Sequence, residues 1–178
     1  MKQKIILAVL AAITIFFSAS CTDTDTDIIN YYKTAFEAAE VCGIETVDFI
    51  PAGYEVLSYN SVYGFVFEAE FKPLETPEPA ENDMAQIAVL RIADAEYNVT
   101  NLSGFADAVS CGIYTHSDGS EFEIKTRNGV YMSEWKQTVG ETDCNISYSV
   151  FGSELSENED AFNTYKTMLS ELLDYLNK

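Results

Sequence analysis

Apolar and polar positions along the chain change period twice. Ile29, Tyr32, Phe36 and Ala39 recur at helical spacing, and Gly43 follows where a left-handed C-cap commonly sits, which predicts an amphipathic helix opening the folded part. The period then falls to two. Tyr63, Phe65, Phe67, Ala69 and Phe71 would share one strand face, with Glu68 and Glu70 on the other. Tyr54 to Tyr59 reads as the hairpin partner, turning through Asn60-Ser61. Lys72 to Asp83 carries three prolines and several acids and reads as a loop. Ala85 to Ile92 is more apolar and so more central in the sheet, and Asn98 to Ala108 reads as a loop with one helical turn.

Sharper signals follow. Asp118-Gly119 separates Gly112 to His116 from Ser120 to Arg127, and Asn128-Gly129 separates the latter from Val130 to Gln137. Both dipeptides supply the positive backbone dihedrals of tight hairpin turns. With Cys144 to Phe151 they predict a four-strand antiparallel meander. Ser156 and Glu159 fit a capping box. After it Ala161, Phe162, Tyr165, Met168, Leu169, Leu172, Leu173 and Leu176 form the apolar stripe of a long helix that must cover a sheet face. The expected fold is α+β: a curved antiparallel β-sheet (meander) with an N-terminal helix and a long C-terminal helix packed on it, in a single domain over 29–178.

The N-terminus changes the picture. Lys2 and Lys4 precede an apolar run from Ile5 to Phe17, then the small residues Ser18, Ala19 and Ser20 stand before Cys21. That is the order of a secretory signal peptide, here 1–20, and it is shorter than the roughly 20 apolar residues of a membrane span. Ser18 to Cys21 resembles the lipobox of bacterial lipoproteins. The resemblance implies cleavage before Cys21 and lipidation of its sulfur, so that the chain is exported and held to the cell envelope, outside the cytoplasm. Residues 21–28 alternate Thr and Asp with little to bury and read as a disordered tether.

Charge and chemistry narrow the function. Asp and Glu number 29 against 10 Lys and Arg, a net charge of −19, which repels nucleic acid and anionic headgroups. His116, the one histidine, sits beside Asp118-Gly119 and reads as an exposed turn residue, with no Gly-x-Ser-x-Gly elbow for it to serve. Asp23-x-Asp25-x-Asp27 lacks the Gly and the acid of a calcium loop, since Ile28 and Thr34 hold those places. Cys42, Cys111 and Cys144 are too far apart in sequence for a zinc site. In the meander Cys111 and Cys144 lie three strand spacings, about 14 Å, apart, too far for a disulfide. Any bond would therefore join Cys42 to one of them. Cys144 reads as a buried thiol beside Ile146, Tyr148 and Val150. The three Asn-x-Ser/Thr matches, at Asn98, Asn101 and Asn145, are incidental in a bacterium.

From about Phe36 to Leu173 the order of signals resembles an uncharacterised α+β extracytoplasmic domain of bacterial lipoproteins and sigma-factor regulators. The likeness rests on Phe49 to Tyr54, Arg91-Ile92-Ala93, Asn101 to Gly104, Gly129, Trp135 and Tyr148. It implies a curved antiparallel sheet with flanking helices in a sensory or regulatory setting. Together these readings predict no enzyme, no cofactor and no metal, but a membrane-anchored, non-catalytic interaction or sensory module. Its partners would be the membrane, through Cys21, and an envelope protein or polymer, with no nucleic acid. The alternative is a small-molecule or lipid-binding domain with an apolar groove between sheet and C-terminal helix, lined by Tyr63, Phe65, Phe67 and Phe71.

Overall fold

The computed structural model describes residues 28–75, 87–151 and 159–178. The signal peptide, Cys21, nearly all of the tether, most of the proline-rich loop and the capping residue Ser156 lie outside the described residues. The elements are β1 (Ile29–Tyr32), α1 (Ala35–Cys42), β2 (Tyr54–Val62), β3 (Val66–Pro73), β4 (Ile87–Asp94), a 3-10 turn (Ala95–Tyr97), β5 (Val109–Thr115), β6 (Glu121–Arg127), β7 (Val130–Val139), β8 (Thr142–Phe151) and α2 (Glu159–Leu176). The eight strands of the described residues form one curved antiparallel sheet in the order β1-β2-β3-β4-β8-β7-β6-β5. Two four-stranded meanders thus meet along β4 and β8, and the second is the predicted one.

Three local expectations change. Ile29 to Tyr32 is not helical but an edge strand on β2, pairing Ile29 with Val62 and Tyr32 with Tyr59. The helix starts later because Thr34 caps it, its side-chain oxygen accepting from the Glu37 amide at 3.2 Å. α1 buries Ala35, Ala38, Ala39 and Cys42, leaving Phe36 61% exposed, and ends at Gly43 with φ 69°. Second, the β2–β3 turn lies at Tyr63-Gly64 rather than Asn60-Ser61, because Gly64 supplies a left-handed residue and the other pair continues the ladder. Asn60 and Ser61 are fully buried within β2, and Tyr63 is in the turn rather than on the strand face. Third, Ile28 already belongs to the fold: its carbonyl accepts from the Tyr63 amide at 2.7 Å.

The helices cover one sheet face. Phe67 and Phe71 of β3, Leu90 and Ile92 of β4, and Cys144, Ile146, Tyr148 and Val150 of β8 pack with Tyr165, Met168, Leu169, Leu172 and Leu173 of α2 in one apolar cluster. Tyr165 donates to the Tyr148 carbonyl at 2.9 Å, tying helix to sheet. Gly112 lets Phe162 approach β5, since a Cβ there would stand 2.8 Å from the ring. Cys42 and Cys144 are buried and Cys111 is exposed, and none of the three is in a disulfide.

Candidate functional site

The four aromatics predicted to line a groove do not share one face. Phe67 and Phe71 are completely buried in the cluster beneath the helices, where Phe71 meets Phe49 edge-on at 6.2 Å. The space between sheet and α2 at this level is filled by Tyr148, Tyr165, Leu169 and Leu172, all fully buried. Tyr63 and Phe65 lie in the β2–β3 turn instead. There the rings form a column with Tyr97: Tyr63 and Phe65 are 6.1 Å apart at 20°, Phe65 and Tyr97 4.8 Å apart at 24°. Phe65 packs, as Val62 and Val99 do, against the buried cluster of Val66, Ala93 and Leu102 on the sheet's second face. Tyr63 is 41% exposed, Tyr97 56% and the adjacent Ile28 44%.

The backbone beneath this column runs against local preference. Tyr63 and Gly64 have φ of 55° and 75°, as Asn128 and Gly129 have 51° and 76° in the β6–β7 turn. Asn suits such a position, whereas a bulky residue there is an outlier costing about 1–2 kcal/mol. Tyr97 is set by the short 3-10 turn, capped by Asp94, whose carboxylate accepts from the Glu96 amide at 2.8 Å. Nothing local in the sequence marks Tyr97; the chain leaving β4 brings it beside Phe65.

A second cluster lies on the same face and is buried and polar. Arg91 Nε donates to Glu68 at 2.6 Å, and Asn60 Nδ2 donates to the other Glu68 oxygen at 3.0 Å. Ser58 donates to Glu70 at 2.8 Å. Arg91 also donates to the carbonyls of Leu102 and Ser103 at 3.2 and 2.9 Å, while Glu134 accepts from the Ser103 amide at 2.6 Å, fastening the loop at 98–108 over the sheet. Glu68 and Glu70 are both buried, contrary to the alternation expected of a solvated face. Burial and the neighbouring Glu68 push the Glu70 carboxyl above its ordinary pKa, against the opposing pull of Ser58 and Arg91.

His116 is buried, not exposed at a turn. The C-terminal part of α2 covers it, a tertiary contact that no turn motif encodes. Its Nδ1 faces the Tyr114 hydroxyl at 3.4 Å; its Nε2 faces Ser117 Oγ at 3.4 Å and Asp174 Oδ1 at 3.5 Å. Serine and aspartate therefore lie on the same ring nitrogen. A nucleophilic triad needs them on opposite nitrogens, one accepting the serine proton and the other holding the ring. Nearby a cleft of about 330 Å³ opens between the end of α2 and strands β6 and β7, with Phe122, Trp135, Asp118 and Asn177 among its lining. Its wall is a relay of side chains, Trp135 to Gln137 at 3.0 Å and Gln137 to Asn177 at 2.9 Å.

Among the described residues no three His, Cys, Asp or Glu side chains converge as metal ligands, and no helix is long and apolar enough to cross a membrane. Compared with protein-family models, curated proteins and solved structures, the chain has no match.

Proposed function

We propose that this chain is a lipoprotein, cleaved before Cys21 and lipidated there, whose folded part is a non-catalytic interaction or sensory module outside the cytoplasm. The leader order and the lipobox-like Ser18 to Cys21 motivate the anchor. One observation carries the interaction reading: Phe67, Phe71 and the side chains above them under α2 are packed as core, while an ordered aromatic column is left at the surface. The resemblance to extracytoplasmic α+β domains is in keeping with this. The alternative, a small-molecule or lipid groove beneath α2, draws no support from Phe67 and Phe71, which are wholly occupied in the core.

Metabolic labelling with radioactive palmitate and membrane fractionation test the anchor. The wild-type chain is expected in the membrane fraction with label, and Cys21→Ala in the soluble fraction without it. Label on the Cys21→Ala chain would place the anchor elsewhere. Crosslinking in intact envelopes tests the module, and a domain that captures no envelope component would refute it.

A further inference from the structure

We propose that the exposed aromatic end of the domain, Tyr63 and Tyr97 stacked on Phe65 with Ile28 bonded to the turn, is a foot that rests in the headgroup layer of the membrane and holds the anchored domain in one orientation. This rests on the reading of Cys21 as the lipidated residue.

Three observations converge on it. The first is position. The hydrogen bond from the Tyr63 amide to the Ile28 carbonyl fixes the column at the point where the chain arrives from Cys21. Six residues lie between Cys21 and Ile28, and the seven steps of chain from one to the other reach at most about 25 Å when fully extended. Whatever path that segment takes, the aromatic end stays within this distance of the lipid.

The second is chemistry. Tyrosine presents an apolar ring and a polar hydroxyl, the combination that collects at membrane-water boundaries. Here two such rings, stacked through Phe65, stand 41% and 56% exposed beside a 44% exposed isoleucine. The third is the backbone. A left-handed position that asparagine would suit, as Asn128 does in the other turn, is given to Tyr63 instead. The side chain, not the turn, accounts for the residue.

Charge selects the lipid. The chain carries a net −19 and Glu96 adjoins Tyr97, so anionic headgroups oppose contact and zwitterionic ones permit it.

The test uses the lipidated chain purified from membranes and reconstituted into phosphatidylcholine vesicles, read by backbone hydrogen-deuterium exchange, with intact mass reporting the acyl chains on Cys21. Amides at 62–65 and 95–99 are expected to exchange several-fold more slowly than in the soluble Cys21→Ala chain, while those of β5 and β6 are unchanged. The protection should fade in vesicles rich in phosphatidylglycerol. It should also be lost in a Tyr63→Asn, Tyr97→Ser double variant whose circular dichroism and thermal melt show the fold intact. An acylated chain whose aromatic end exchanges freely, or one protected equally over the whole domain, would overturn the foot alone. Protection unchanged in the double variant would overturn it too. An unacylated Cys21 would overturn both the anchor and the foot, and the mass identifies that outcome. If a soluble envelope protein or glycan protects the same amides of the Cys21→Ala chain without vesicles, the column is a partner site and the foot is wrong.

Discussion

Two neighbouring rows of the sheet run through the same strands on opposite faces. Beneath the helices the row reads Phe67, Ile92, Ile146 and Trp135; one residue along, on the other face, it reads Glu68, Arg91, Ser147 and Glu134. The first row belongs to the main apolar cluster, built by excluding water. The second buries Glu68 and Ser147 with Arg91 half-buried and Glu134 exposed, and its stability depends on each charge and amide finding a partner. Apolar packing tolerates loss of a contact in proportion to the cavity left, whereas a buried ion pair fails abruptly when one member is removed. The two faces should therefore respond differently to substitution and to pH.

The largest effect is expected at Arg91, whose side chain is 12% exposed against 4% for Glu68. Arg91→Ala leaves Glu68 buried beside Glu70 and releases the Leu102 and Ser103 carbonyls, so urea denaturation should show a loss of about 3–5 kcal/mol. If the loss is below about 1 kcal/mol, the polar face is not held by this pair. On the apolar face, Leu172→Ala opens a cavity against the sheet and should cost about 2–5 kcal/mol by the same measurement. A cost typical of surface sites, under about 0.5 kcal/mol, would mean that α2 does not cover the sheet.

The pH response separates the faces further. Because burial and Glu68 raise the Glu70 pKa, the folded chain keeps this proton to higher pH than the unfolded chain does. Its contribution to stability is therefore fully present below the ordinary carboxylate pKa and is lost as pH rises through the raised folded value. The facing groups are Glu68 and Arg91, with Tyr31 sensing both glutamates from β1. Glu70→Gln should remove this slope from the melting temperature measured across mildly acid to neutral pH, and should raise stability at neutral pH. An unchanged slope would assign the proton to another group. The smallest effect belongs to the apolar face: the Tyr148 hydroxyl is buried with no hydrogen-bond partner among the described residues. Tyr148→Phe should leave stability unchanged or raise it by up to about 1 kcal/mol, and a clear loss would reveal a partner for that hydroxyl.

Two of the three hairpins of the second meander were legible in the sequence because Asp118-Gly119 and Asn128-Gly129 state their turns locally, with Gly119, Asn128 and Gly129 at positive φ. The first meander was harder to read. Ile29 and Tyr32 have helical spacing to Phe36 and Ala39, yet β2 claims them as an edge strand, since pairing with Val62 and Tyr59 satisfies backbone groups that a frayed helix end would leave open. The turn at Tyr63-Gly64 was missed because its first residue is the wrong type for the conformation. Of the predicted aromatic site, Tyr63 and Phe65 stayed at the surface, and Phe67 and Phe71 went to the core because the chain turns between them.

By itself the sequence determined what depends on neighbours along the chain: the period of the strands, the glycine-marked turns, the apolar stripe of α2 and the αL cap at Gly43. Tertiary structure alone decided what depends on residues far apart in sequence. It joined the two meanders through β4 and β8, buried His116 beneath Asp174, paired Glu68 with Arg91, and set Tyr97 against Phe65 beside Ile28. The division follows from the forces themselves. Backbone preference and side-chain periodicity act over a few residues, whereas burial, ion pairing and ring stacking act on whatever the sheet order brings within a few ångströms.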